Sequence, residues 1–538
     1  MFQTKGMLRY EANTNVHNGG YRYKISDILT IDVKSVNKYL LIAIILIILT
    51  CAGGTSYALF SYEVYSPSTI HIRYNPPATC DEIRIDTSNA NNPKDNLPSN
   101  MIAVCFDSKN DVWRKADVNN SEAGYKWYSY SDKVWANAVT VSDVNTTTSI
   151  TLNTKETVSC NGKCNREDYL NAPIGSVIPI SDINTMFVWI PRFSATSNGS
   201  YNGGTQASPG AFNITFVNSS TTAHEAFTFG SQNLSGLWVG KFENSSNVSC
   251  TAASNSAVGS GCNLTSIRPK ILPDVVSWRG AMVSTFFYDI LNMTENGNQY
   301  GFNSSEVDTH MMKNSEWGAV AYLTQSIYGR CSSSTSCAEV NVNNSQSAYT
   351  GRSGGAGAGN TSATTIYGSS ITSDTANYNT YGYYTYDGYM LNYKTNTKGA
   401  TRDFTKVGST TGNIYGTYDM AGGAYDLVMG VHTDGTTVTV GNSGFTTMPD
   451  SKYYNTYTNI GGSNPTSSQT NYTSSMQHAL LETKEWYGDN RVFVSKSEGM
   501  PWFRRGGLAT STSSGIFYYY YWSGEAYGGM TSRTVLVK

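Results

Sequence analysis

An aromatic run near the C-terminus offers the clearest binding chemistry of the chain: Phe517 and four consecutive tyrosines, Tyr518 to Tyr521, precede Trp522. Side chains of a strand alternate between its two faces, so at least half of these rings lie outside any single core or meet a partner. Tyrosine, serine and glycine are also the residues that antibody-like binding surfaces favour. We expect Phe517 and Tyr519 to point inward. The predicted ligand-binding residues are Arg504, Tyr518, Tyr520, Tyr521, Trp522, Ser523, Glu525 and Tyr527. A buried aromatic strand that only packs is the alternative.

The residues suited to covalent catalysis form no recognisable set. His224, His310, His432 and His478 occur in dissimilar contexts, and neither Gly-x-Ser-x-Gly nor His-Glu-x-x-His occurs. We therefore predict that the protein is not an enzyme, with no catalytic residue, no metal ligand and no cofactor.

The cysteines outside one apolar segment are even in number and close together in pairs. The simplest pairing joins neighbours, which is typical of an oxidising compartment. The candidate disulfides are Cys80 with Cys105, Cys160 with Cys164, Cys250 with Cys262, and Cys331 with Cys337.

The composition is polar but contains little charge. Charged residues make up 14% of the chain, the formal net charge is -2, and there are 50 glycines and 39 tyrosines. Nucleic-acid binding requires clustered lysine and arginine, so we exclude nucleic acid as a partner.

Residues 39–60 carry no charge and are largely aliphatic, which predicts a transmembrane helix. Basic residues lie on its N-terminal side, so residues 1–38 are expected to form a cytoplasmic tail and the remainder to lie outside the cell. These features predict a single-pass protein of the cell membrane. The alternative is a secretory signal cleaved after Ala58.

The remaining chain divides by its pattern of short apolar runs. Residues 61–180 predict a small β-rich module and linker, with Trp113, Trp127 and Trp135 in its core. Residues 185–538 predict a larger α+β domain with much loop and helices over 277–291 and 314–324. Within it, residues 331–411 are a low-complexity insertion.

Five stretches of this larger domain resemble the formylglycine-generating-enzyme-like (sulfatase-modifying factor) family. They are residues 187–191, 273–281, 311–317, 416–426, and 503–507 leading to 533–535. The stretch Tyr-Asp-Met-Ala-Gly-Gly-Ala-Tyr-Asp at 418–426 is the most specific. It has Gly423, Tyr425 and Asp426 where the family pattern has Asn, Trp and Glu. The resemblance implies a C-type-lectin-like fold.

What the resemblance implies about function depends on the branch of the family. Its oxidases use a cysteine pair near the C-terminus to bind copper, but no cysteine follows Cys337 here. Some relatives bind calcium, so bound calcium is the alternative to no cofactor, although the resemblance assigns no residue of this chain to it. The ligand-binding branch includes variable proteins of diversity-generating retroelements, in which a diversified segment precedes the closing strand, as residues 513–530 do here.

We therefore predict a surface-displayed, receptor-like or adhesin-like protein with an unknown protein or glycan ligand outside the cell. The alternatives are an enzyme of this family with altered chemistry and a structural envelope protein.

Overall fold

The computed structural model describes residues 83–538 apart from 109, 111, 123, 153–155, 249–261, 344–347, 353–381, 385–389, 393–396, 399–407, 459–476, 495–498 and 510–512. Before residue 83 it describes four strands and residue 80. The chain divides into two compact units, Met1–Glu82 and Ile83–Lys538.

The first unit contains a four-stranded sheet in the order β2-β1-β4-β3. β1 pairs antiparallel with β2 and parallel with β4, and β3 pairs antiparallel with β4. The strands are β1 (Tyr21–Ile25), β2 (Leu29–Val33), β3 (Phe60–Val64) and β4 (Ile70–Tyr74).

The second unit consists mainly of short strands. In chain order they are β5 (Ile102–Asp107), β6 (Val112–Lys115), β7 (Asn137–Val141), β8 (Ser149–Thr151), β9 (Thr157–Ser159), β10 (Val177–Ile178), β11 (Ile183–Pro191), β12 (Phe193–Thr196), β13 (Asn213–Phe216), β14 (Thr228–Phe229), β15 (Gln232–Asn233), β16 (Gly236–Gly240), β17 (Ser245–Ser246), β18 (Pro269–Lys270), β19 (Asp308–Met311), β20 (Gly382–Tyr384), β21 (Met390–Asn392), β22 (Thr397–Lys398), β23 (Tyr425–Thr433), β24 (Asn455–Thr458), β25 (Trp502–Arg505), β26 (Tyr519–Trp522), β27 (Met530–Ser532) and β28 (Thr534–Val537).

The described α-helices are short. They are α1 (Arg166–Asn171), α2 (Val283–Leu291) and α3 (Asn314–Thr324). Single 3₁₀ turns occupy Pro93–Asn96, Tyr130–Asp132, Ile180–Asp182, Ser200–Gly203, Glu225–Phe227, Asn292–Thr294, Ser451–Tyr453, Leu481–Thr483 and Trp486–Gly488.

An eight-stranded sheet forms the centre of the second unit, in the order β10-β6-β5-β7-β11-β16-β28-β19. The boundary predicted between residues 61–180 and 185–538 lies within this sheet, because β7 pairs with β11 over five residue pairs. Trp113, Trp127 and Trp135 are all buried, as predicted. Trp127 and Trp238 stack with their ring centres 6.0 Å apart, which joins the two predicted regions in one core.

A five-stranded sheet carries the C-terminal aromatic run. Its order is β24-β23-β25-β26, and β27 pairs in parallel with β23. β23 is buried along nearly all its length, so the sheet packs against the interior through this strand. Among the described strands β26 pairs with β25, and on its other side Tyr519 forms a single parallel bridge with Arg491.

The predicted α+β class is wrong, because the regular structure is mostly sheet, with 29% strand against 16% helix. One reason is visible at the helix predicted over 277–291, which begins only at Val283. The backbone of Ser277 and Trp278 donates to Ala348 and Asn244 instead, so tertiary hydrogen bonds replace the first turns of the helix.

The predicted membrane helix and single-pass localisation are not supported by the lengths of the described helices. The longest described helix, α3, has eleven residues, whereas a membrane crossing takes about 20. Across the described part of the chain, no helix is long and apolar enough to span a bilayer. Residues 39–59 of the predicted segment lie outside the described residues, and Phe60 begins β3.

The predicted cysteine pairing is confirmed for two neighbouring pairs. Cys160 bonds Cys164 and Cys331 bonds Cys337, while Cys80 and Cys105 are each disulfide-bonded. Cys262 is instead a buried free cysteine, and its predicted partner Cys250 lies outside the described residues.

Candidate binding surface

β26 separates the aromatic run into two faces. Its register places Tyr519 opposite Arg505 and Tyr520 opposite Arg504 on β25. Tyr519 is fully buried, with its ring centre 4.8 Å from that of Phe493. Tyr520 and Trp522 alternate with it and are half-buried. The strand therefore fixes one tyrosine in the core and presents the next beside Arg504.

The backbone before β26 is attached to the interior by several hydrogen bonds. The Trp317 indole on α3 donates to the Ile516 carbonyl at 2.8 Å, and the Phe517 amide donates to Asp489 at 2.9 Å. The Tyr519 amide donates to the Asn490 carbonyl at 3.2 Å. These bonds hold the aromatic run on a rigid support, which lowers the entropy lost on binding.

Arg504 lies at the centre of a group of half-buried rings. Its guanidinium carbon is 4.1 Å from the ring centre of Tyr425, 4.8 Å from that of Tyr520 and 5.2 Å from that of Trp522. Such cation–π contacts are worth about 0.5–2 kcal/mol each. Tyr425 begins β23, so three strands contribute to this cluster.

Further ring contacts extend the cluster along the surface. Tyr521 lies 4.6 Å from Tyr520, and Tyr527 lies 5.2 Å from Trp522, between ring centres. The Trp522 indole donates to the Glu525 carbonyl at 2.9 Å, which fixes the turn after β26. We call these half-buried residues the aromatic surface: Tyr425, Arg504, Tyr520, Tyr521, Trp522 and Tyr527.

Of the other predicted ligand-binding residues, the structure buries two and exposes one. Tyr518 is only 3% exposed, because its ring packs 5.6 Å from that of Tyr425, so its predicted exposure is wrong. Burial raises the pKa of its phenol well above the usual value. Ser523 is buried too, while Glu525 is exposed. Phe517 and Tyr519, expected to point inward, are buried.

Tyr425 is the surface residue that sequence reasoning missed. In the sequence, Tyr425 is noted only as the residue that replaces a tryptophan of the family pattern. The parallel pairing of Tyr425 with Met530 on β27 and the stacking of Tyr425 on Tyr518 bring it to the surface. No spacing rule joins residues 425 and 504, because their contact depends on the pairing of β23 with β25.

A buried acidic cluster supports the start of β23. Arg533 pairs with Asp426 at 3.1 Å, and both side chains are buried. Glu243 accepts a hydrogen bond from the Ala424 amide at 3.0 Å. Gly423 has φ 73°, and a Cβ there would lie 2.5 Å from the Glu243 carboxylate, so the turn requires glycine.

The carboxyl groups of this cluster have raised pKa values. Burial raises the pKa of Glu243 well above its usual range, and the nearby charges of Asp419 and Asp426 add to the effect. Burial also raises the pKa of Asp419 to about 6, although Arg533 opposes it. Arg533 lowers the pKa of all three carboxyl groups, Glu243, Asp419 and Asp426, but burial outweighs its effect.

The histidines lie in structural networks. His478 bonds the Tyr457 hydroxyl at 2.6 Å and Glu225 at 2.9 Å, but Tyr457 is 1% exposed, so this phenol is closed to a substrate. Burial lowers the pKa of His310, but Glu316 at 2.9 Å and Asp308 outweigh it and leave that pKa raised. Burial lowers the pKa of His224 to about 3.

A polar cavity of about 560 Å³ adjoins the loop before β25. Glu485, Asp489, Arg491 and Ser513 contribute to its lining. Arg491 donates to Glu485 at 2.7 Å, so its charge is already paired. None of the described residues that line this cavity is aromatic, so its lining differs from the aromatic surface.

A scan against protein-family models and a search of the curated proteins both found no match to this chain. The resemblance drawn from the sequence therefore stays a prediction.

Proposed function

We propose that this protein is a ligand-binding protein, not an enzyme, and that it binds through the aromatic surface. The observation that carries the proposal is the half-buried group of Tyr520, Trp522 and Arg504, on a strand whose first ring, Tyr519, is fully buried. Aromatic and arginine side chains supply most of the binding energy at protein interfaces, at about 2 kcal/mol or more each.

The support for binding rather than packing is the partial exposure of these rings. A ring required only for packing gains most from complete burial, as Tyr519 shows. Tyr520 and Trp522 instead keep part of their area in water while their orientation is fixed by Arg504. A preordered surface of this kind loses little entropy when a partner covers it.

We also propose that the chain belongs to the ligand-binding branch of the formylglycine-generating-enzyme-like family, as a variable protein of a diversity-generating retroelement. The five stretches quoted above and the tyrosine, serine and glycine content of residues 513–530 support this assignment. The test is the neighbouring DNA. A near-copy of the codons for this segment that differs only at adenines, beside a reverse-transcriptase gene, is expected, and its absence contradicts diversification.

The binding proposal is tested with protein and glycan arrays. The chain is compared with a triple variant, Tyr520→Ala, Tyr521→Ala and Trp522→Ala. Tyr288→Ala is the matched control, because Tyr288 is 42% exposed on α2. We expect ligands that the wild type and the control bind and the folded triple variant does not. If every ligand binds the triple variant equally well, the proposal is wrong.

A further inference from the structure

We propose that Arg504 pairs with an acidic side chain of the ligand, so that the partner is a protein presenting Asp or Glu among apolar residues. This inference rests on the proposed function and names the partner chemistry of the same surface.

The first step is the unpaired charge of Arg504. Its contacts are the rings of Tyr425, Tyr520 and Trp522, and no described carboxylate lies within 4.0 Å of its guanidinium nitrogens. Its Nε is buried and has no hydrogen-bond acceptor within the described chain. Arg533 pairs with Asp426 and Arg491 with Glu485. The neighbouring Arg505 donates to Asn314 and to the His478 and Ala479 carbonyls, whereas no such acceptor is found for Arg504 among the described residues.

The second step is the geometry in which this charge is held. Rings at 4.1 and 4.8 Å fix the guanidinium plane, and the adjacent Trp522 limits the access of water. A guanidinium presents parallel N–H donors that match a carboxylate in two-point hydrogen bonding. A cation already oriented and partly desolvated by rings gains more from such a partner than one in open water.

The third step separates a protein from a glycan. Sugar hydroxyls are best satisfied by several amide and carboxylate side chains placed beside a ring. On the strand and turn from Tyr519 to Tyr527, the polar side chains besides tyrosine are buried Ser523 and exposed Glu525. A surface of rings around one cation instead matches the tyrosine, tryptophan and arginine enrichment of protein interfaces.

The experiment is selection of a random twelve-residue peptide library on the full 538-residue chain. Parallel selections use Arg504→Gln, Arg504→Glu and the control Arg491→Gln, each verified as folded by its circular dichroism and melting curve. Arg504→Lys keeps the charge without the planar donors.

We expect Asp or Glu to be enriched at one position in peptides selected by the wild type and by Arg491→Gln. Arg504→Gln should bind these peptides roughly 10- to 100-fold more weakly. Arg504→Lys should have intermediate affinity, and Arg504→Glu should select Lys or Arg.

The inference is overturned by wild-type peptides without acidic enrichment, or by acidic peptides that bind Arg504→Gln equally well. Binding of carboxylate-bearing glycans without any acidic peptide also overturns it, in favour of a glycan partner. The proposed function fails separately, when the selected peptides bind the triple aromatic variant as well as the wild type.

Discussion

Arg504 and Tyr520 are direct partners across the pairing of β25 with β26, and the guanidinium carbon lies 4.8 Å from the tyrosine ring centre. One residue earlier on β26, Tyr519 lies opposite Arg505 and is fully buried. A shift of a single position along the strand therefore separates a residue of the core from a residue of the aromatic surface.

Truncation of two neighbouring tyrosines is expected to lower the stability by very different amounts. Tyr519→Ala removes a fully buried ring and should lower the free energy of unfolding by about 3–5 kcal/mol. Tyr520→Ala removes a half-buried ring and should cost about 1 kcal/mol or less, apart from its contact with Arg504. Urea unfolding of the two variants measures both values. Equal losses would show that the two tyrosines share one environment.

The charge balance beneath β23 gives a second prediction. Arg533→Met leaves Glu243, Asp419 and Asp426 without their shared cation, and should cost about 3–5 kcal/mol at pH 7. Lowering the pH to 4 should restore part of that loss, because the carboxyl groups then take up protons. Thermal melting at the two pH values measures the effect.

The control for that variant is Arg491→Met, whose partner Glu485 is 41% exposed. A partly exposed pair is worth about 0–1 kcal/mol, so its removal should hardly change the melting temperature. An Arg533→Met loss that is the same at pH 4 and pH 7 would contradict the assigned role of the arginine.

Asp289 on α2 gives a pH-dependent prediction. Burial raises its pKa to about 7, above an ordinary value of 3.8. A raised carboxyl pKa contributes stability that is complete below about pH 4 and is lost as the pH rises through about 7. Asp289→Asn removes this loss and keeps an acceptor for the Ile267 amide at 3.1 Å.

The variant should therefore match the wild type near pH 4 and exceed it at pH 8. The gain is at most about 4 kcal/mol, since a tenfold change in proton affinity is worth ~1.4 kcal/mol. Unfolding free energies across this range provide the measurement. Asp419, with its pKa raised to about 6, should leave a residual slope in the variant. A variant with the full wild-type slope would contradict the account.

Local features of the fold were predictable where the sequence states a conformational requirement. A pair of glycines permits a turn with positive φ, and the φ angles of Gly422 and Gly423 are 75° and 73°. A buried arginine requires an acidic partner, and Arg533 pairs with Asp426. Such features can be predicted because glycine geometry and buried charge admit few solutions.

Long-range pairing decided what the sequence left unpredicted. The exposure of Tyr518 depends on Tyr425, which lies far away in the chain and stacks on it at 5.6 Å. Val283 starts α2 late because Ser277 and Trp278 bond to distant backbone. Helical periodicity and strand alternation describe one segment at a time, so neither pattern contains these contacts.

The most direct test of the aromatic surface measures affinity and stability on the same samples. A protein ligand obtained from the array is titrated against the wild type, Tyr520→Ala, Trp522→Ala and Tyr288→Ala, and each variant is melted in parallel. We predict that Tyr520→Ala and Trp522→Ala each weaken binding by roughly 30-fold or more, while Tyr288→Ala binds like the wild type. Melting temperatures should stay within a few degrees. Unchanged affinity in both surface variants would contradict the claim that this surface binds the ligand.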